Sequence, residues 1–221
     1  MTTSKQLPIF AVVLGFCALF SVQSQAESTV VINELHTDPD VKTDLVEFVE
    51  LHNHGSEAVD LSGWSFTDAI AYTFPVRTLL QAGGYVIVGQ SPDHIFAERT
   101  SSRMNVSESV VLGPYGGRLR NEGERVVLCD AEGAVVDEVT YQLGFPWPTV
   151  GDPTTNNQPG TGHSMQLINP LFDNDLGGSW RSGSPTPAAR NQVWSENLPP
   201  HIRQVKHAPK QPRSEIGRAH V

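Results

Sequence analysis

Between residues 30 and 75 the chain reads VVINELHTDPDVKTDLVEFVELHNHGSEAVDLSGWSFTDAIAYTFP, and this stretch constrains the fold most. Short apolar runs alternate with turn-forming residues at close spacing. A β-rich run at 29–35 ends in Asn33-Glu34, and a polar loop follows at 37–43. Residues 45–52 alternate as a strand does, with Glu47, Val49 and Leu51 on one face and Val46, Phe48 and Glu50 on the other. Gly55 marks a turn, 59–61 a short edge, and Ser62-Gly63 turns the chain into a strand at 64–67. Another strand at 71–74 stops at Pro75.

The pattern continues. Strands are predicted at 84–89, 106–112, 125–129, 135–141 and 164–168, with turns at 81–84, 121–124 and 131–134. Residues 113–117 read as a turn, 144–162 as a long loop and 178–191 as irregular closing structure. One short helix is predicted at 91–99, with Ser91 as N-cap and Pro92 in the first helical position. Many short strands with 19 Gly and 16 Pro argue for an all-β sandwich.

The flanks read differently. Lys5, the apolar run 9–22 and Ser24-Gln25-Ala26 form a secretory signal over residues 1–26, too short for a membrane span. Cleavage would remove Cys17, leaving Cys129 as a lone thiol in a strand-like run and excluding an internal disulfide. The sandwich domain is expected over 27–192 and a proline-rich linker over 193–214. Residues 215–221 (EIGRAHV) look like a translated sequencing adapter, so the natural chain is expected to continue past Ser214. A net charge of −9 argues against nucleic acid as a partner.

The chain resembles a lamin tail domain of the secreted bacterial type. The resemblance rests on Val31-Ile32-Asn33-Glu34, on Phe48-Val49-Glu50-Leu51 with Asn53, and on Asp60-Leu61-Ser62-Gly63-Trp64. Tyr72, Phe74 and Pro75, residues 83–88 and the 121–126 hairpin through Gly133 and Asp137 extend it. Residues 164–167 and Trp180 through Pro185-Thr186-Pro187 with Asn191 close it, so it covers about residues 29–192. The resemblance implies an immunoglobulin-like β-sandwich acting as a binding or structural module, not an enzyme. Trp64 is expected in its core.

Few residues suggest chemistry. Asp38, Asp40 and Asp44 share one loop and are the candidate ligands for calcium. Asp173-Asn174-Asp175 before Gly177 is like a calcium loop but lacks the distal Glu. His36, His52 and His54 are close in sequence but read as solvent-facing. Phe145 and Trp147, beside Pro146 and Pro148, form the candidate partner-contact platform, and the alternative is a packed Trp147 that pins the loop onto the sandwich. These features give a secreted, extracellular or periplasmic binding module for an unknown protein or glycan at the cell surface. The alternatives are the targeting domain of a larger secreted enzyme, of spore-coat-H-like kinase fold or a nuclease, and a calcium-dependent module.

Overall fold

A computed structural model describes residues 28–38, 45–95, 110–142, 144–150 and 162–198. The signal segment, Asp40, Asp44, residues 96–109 (the rest of the expected helix and the start of the strand expected at 106–112), residues 151–161 and everything past Leu198 lie outside the described residues.

Two sheets face each other. The first runs β13 (Trp180–Gly183), β12 (Ser164–Leu167), β1 (Val30–His36), β2 (Phe48–Asn53), β7 (Tyr85–Gly89) and β8 (Val111–Leu112). The second runs β11 (Val135–Gln142), β10 (Gly123–Cys129), β4 (Ser65–Asp68), β5 (Ile70–Thr73) and β9 (Gly116–Gly117). A small hairpin pairs β3 (Val59–Asp60) with β6 (Leu79–Leu80). All these pairings are antiparallel except that of β7 with β8. The fold is the expected all-β, immunoglobulin-like sandwich, with a helical turn at residues 92–95 and a 3₁₀ turn at Gly177–Ser179 among the described residues.

Period-two alternation builds the core. Ile32, Leu35, Val49, Leu51, Val86, Val88, Met165 and Leu167 of the first sheet pack on Phe66, Ile70, Val126, Leu128, Val139 and Tyr141 of the second. The tight turn before β4 needs Gly63, whose φ is +78°. The Asp60 carboxylate there accepts both the N–H and the hydroxyl of Ser62.

The structure corrects several expectations. Trp64 is only half-buried at the margin of the core, whereas Trp180 is fully buried within it. Gly116–Gly117 is a strand paired with β5, not only a turn, and Trp180–Gly183 is a strand inside a segment expected to be irregular. Neither shows alternation; both are made by the partner strand they join. His36 is buried, its Nδ1 2.9 Å from the Val46 carbonyl, and His52 lies within β2, stacked on Tyr85 at 4.3 Å. Cys129 is a buried free thiol.

Candidate functional site

Because Leu35, Val49 and Leu51 point inward, their neighbours Glu34 and Glu50 point to the outer face of the first sheet. They are register partners across β1 and β2, and both are 0% exposed. A strap of chain after β13, running from Ser184 to Ser195, covers them. Glu34 accepts the Ser164 hydroxyl at 2.5 Å, the Thr186 N–H at 3.0 Å and the Thr186 hydroxyl at 2.9 Å. Glu50 accepts the Asn33 amide at 2.8 Å and the Ala188 N–H at 2.5 Å. Asn191 completes the set by donating to the Asn33 and Leu167 carbonyls at 2.9 and 2.8 Å. Burial pushes the Glu34 carboxyl up to about 6, and its hydroxyl and N–H donors act against that rise. Beside it, burial and then the charge of Glu50 push Tyr85 up to about 12, and burial lowers His52. Among the described residues these bonds tie the strap to the outer face of the sheet as a clasp does.

A second clasp joins the sheets. β12 pairs with β1 only at Glu34 and Leu35, so the start of β1 has no ladder partner on that side. The Asp137 carboxylate of β11 fills the gap by accepting the Ile32 N–H at 2.6 Å and the Asn174 amide at 2.8 Å. Asn174 also donates to the Ile32 carbonyl at 3.4 Å, and its own carbonyl accepts the Trp180 indole N–H at 2.7 Å. Burial pushes Asp137 up to about 6. The neighbouring acids are equally engaged. Asp173 accepts the Asp175 N–H, and Asp175 accepts the Thr140 N–H at 2.7 Å. Asp173-Asn174-Asp175 is thus a structural turn. Beside the clasp runs a groove of about 600 Å³, walled by Val31, Val136, Leu171 and Phe172.

Of the candidate calcium ligands, Asp38 accepts the Asn121 amide at 2.5 Å and lines a polar cleft of about 260 Å³ with Glu47 and Glu122. Asp40 and Asp44 lie outside the described residues. Among the described residues, no group of three His, Cys, Asp or Glu side chains is arranged to hold a metal ion. The structure separates the two aromatics of the proposed platform. Phe145 is 61% exposed, but Trp147 is 4% exposed and sits 6.3 Å from the Trp180 ring. Trp147 lies against Gly177, where a β-carbon would stand 2.8–2.9 Å from its atoms.

The carboxylates that matter most here, Glu34, Glu50 and Asp137, stand among the residues that carry the family resemblance, and nothing in the sequence marks them as clasp residues. One signal of burial was available for two of them: Glu34 and Glu50 interrupt strands whose other residues are largely apolar.

A DUF4876 family protein from Bacteroides thetaiotaomicron VPI-5482 is similar in structure, with 11% identity, 75% coverage of each chain and a TM-score of 0.49. None of the curated proteins compared matches the chain. Among the described residues, no helix is long and apolar enough to cross a membrane. The family model for the Lamin Tail Domain matches residues 23–142, more than half the chain, with the strands and the Asp60–Trp64 turn built as described above. This family is an immunoglobulin-like, non-catalytic fold with binding and structural roles. The chain belongs to the lamin tail domain family.

Proposed function

We propose that this domain is a secreted, non-catalytic module that binds a protein or glycan at a cell surface, serving adhesion, targeting or surface assembly. The observation that carries this reading is Phe145, a 61% exposed ring on a loop whose next-but-one residue, Trp147, is anchored in the core. Aromatic side chains, phenylalanine included, are enriched at the cores of protein interfaces. The leader-like residues 1–26 support export, and the acidic balance of the chain opposes contact with nucleic acid.

The test compares the labelled wild-type protein and Phe145→Ser for binding to intact cells of the source organism. Phe145→Ser is expected to keep its melting temperature and to bind about 10-fold more weakly, a change of about 1.4 kcal/mol. Equal binding by both would refute Phe145 as the contact. Recovery of the native protein only from the cytosol would refute the export reading.

A further inference from the structure

We propose that the groove along the seam of β1 and β11 is a docking slot for this chain's own basic, proline-rich segment, residues 199–213. The groove is mixed in character: apolar side chains alternate with the polar surface of Ser28, His54 and Asn174 and with two carboxylates. Val31, Val136 and Phe172 line it, Leu171 stands 76% exposed at its edge, Asp173 is the exposed carboxylate, and the Asp137 carboxylate lies deeper in the wall. No Lys or Arg lines it.

The edge of β1 inside the groove has little left to offer another strand. Its Ile32 N–H goes to Asp137, its Ile32 carbonyl takes Asn174, and its Val30 N–H goes to Ser28. An added β-strand would need those groups; a polyproline II segment needs no ladder bonds and docks by side-chain contact.

The segment has the matching pattern. Residues 199–214 read PPHIRQVKHAPKQPRS, with two Arg, two Lys and no Asp or Glu. By contrast, residues 28–198 hold nine Lys and Arg against twenty-two Asp and Glu, a balance of −13. Polyproline II has about 3 residues per turn. At that period Ile202, Val205 and Ala208 fall on one edge, and Arg203 and Lys206 on the next.

The chain also leaves the domain in the right place. The Ser195 N–H donates to the Ile168 carbonyl at 3.2 Å, and the Asn169 amide donates to the Ser195 carbonyl at 3.1 Å. Pro170, which follows directly, is already part of the groove wall. The segment therefore starts beside its slot, and tethering raises its local concentration there.

Amide NMR spectra of the isotope-labelled full chain test this. Two variants, I202D/V205D and R203E/K206E, are compared with wild type. A melting temperature equal to that of wild type serves as the folding control for both variants. Docking predicts that each variant shifts the signals of Val31, Val136, Leu171 and Phe172. It also predicts that about 1 M NaCl, which screens charges beyond about 3 Å, moves the wild-type signals toward those of R203E/K206E. A synthetic peptide of residues 199–213, added to either variant, should restore them. Changes confined to the segment itself would overturn the proposal. So would a wild-type chain whose groove signals depend on protein concentration, because the occupant would then be a second copy.

Discussion

On the inner face of the six-stranded sheet, Ile32, Leu35, Val49 and Leu51 meet the opposite sheet through hydrocarbon. On its outer face, one or two residues away on the same strands, Glu34 and Glu50 are just as buried but are closed over by hydrogen bonds from Ser164, Thr186 and Ala188. The inner face tolerates any apolar set of suitable shape and volume. The outer face works only with donors placed at particular oxygens, because a buried carboxylate left unpaired is costly. One end of that outer face is apolar again, where Phe48, Ile87 and Val111 lie beneath Ile95 of the helical turn. Thus a single sheet carries both a forgiving seal and an exacting one.

The largest expected effect breaks the inner seal. Trp180→Ala removes a fully buried indole and its bond to Asn174, and should cost about 3–5 kcal/mol in urea denaturation. Trp64→Ala, at the half-buried margin, should cost clearly less; equal losses would erase the distinction between the two positions. Next comes the outer seal. Glu34→Gln replaces one acceptor oxygen by an NH₂ group facing donors, and should cost about 1–3 kcal/mol. Its signature is faster hydrogen exchange at Thr186 and Ala188 than at Val49 and Leu51; uniform exchange across both faces would show that the strap is not separately held.

A smaller effect comes from pH. Glu34 and Asp137 both sit at about 6 in the folded protein, above their ordinary values of 4.5 and 3.8. The native state therefore binds these protons more readily than the unfolded chain. The resulting stabilisation is full below the unfolded values and is lost as pH rises through 6. From pH 7.5 to pH 5 each group should add about 1 kcal/mol. Calorimetric melting should show the rise, and Glu34→Gln should remove its share; a flat profile would contradict the buried carboxylates. Smallest of all, Arg125→Ala breaks exposed pairs with Asp68 and Glu138 and should leave the denaturation midpoint unchanged within error.

Much of the fold was legible because alternation is local. Val49 and Leu51 declare an inward face within a single strand, and Asp60-Leu61-Ser62-Gly63 declares its turn within four residues. The Trp64 reading failed for the converse reason: a tryptophan beside a turn signals burial but not its depth, which depends on what packs over it. Trp180–Gly183 became a strand because β12 pairs with it, and nothing within those four residues alternates. The clasps were the least legible part. Glu34 and Thr186, or Asp137 and Ile32, are joined across more than a hundred residues. A sequence read along the chain shows each of them only as another acid or another polar residue. Yet several of the polar positions that carried the family resemblance, among them Asn33, Glu34, Glu50, Asp137, Thr186 and Asn191, converge on these two hydrogen-bonded clusters.

The span from Glu34 to Thr186 also sets an order of events. The first strand to be synthesised carries a carboxylate whose donors, at Ser164, Gln166 and Thr186, are made among the last. A chain threaded out of a cell or a ribosome from its N-terminus must leave Glu34 hydrated until nearly the whole domain has emerged. The sheets can begin to associate earlier, through nearby pairs such as β1 with β2, but the outer face closes last. Completion of this domain is thereby tied to arrival of the strap that follows β13, which makes the strap a built-in check that the sandwich has been delivered whole.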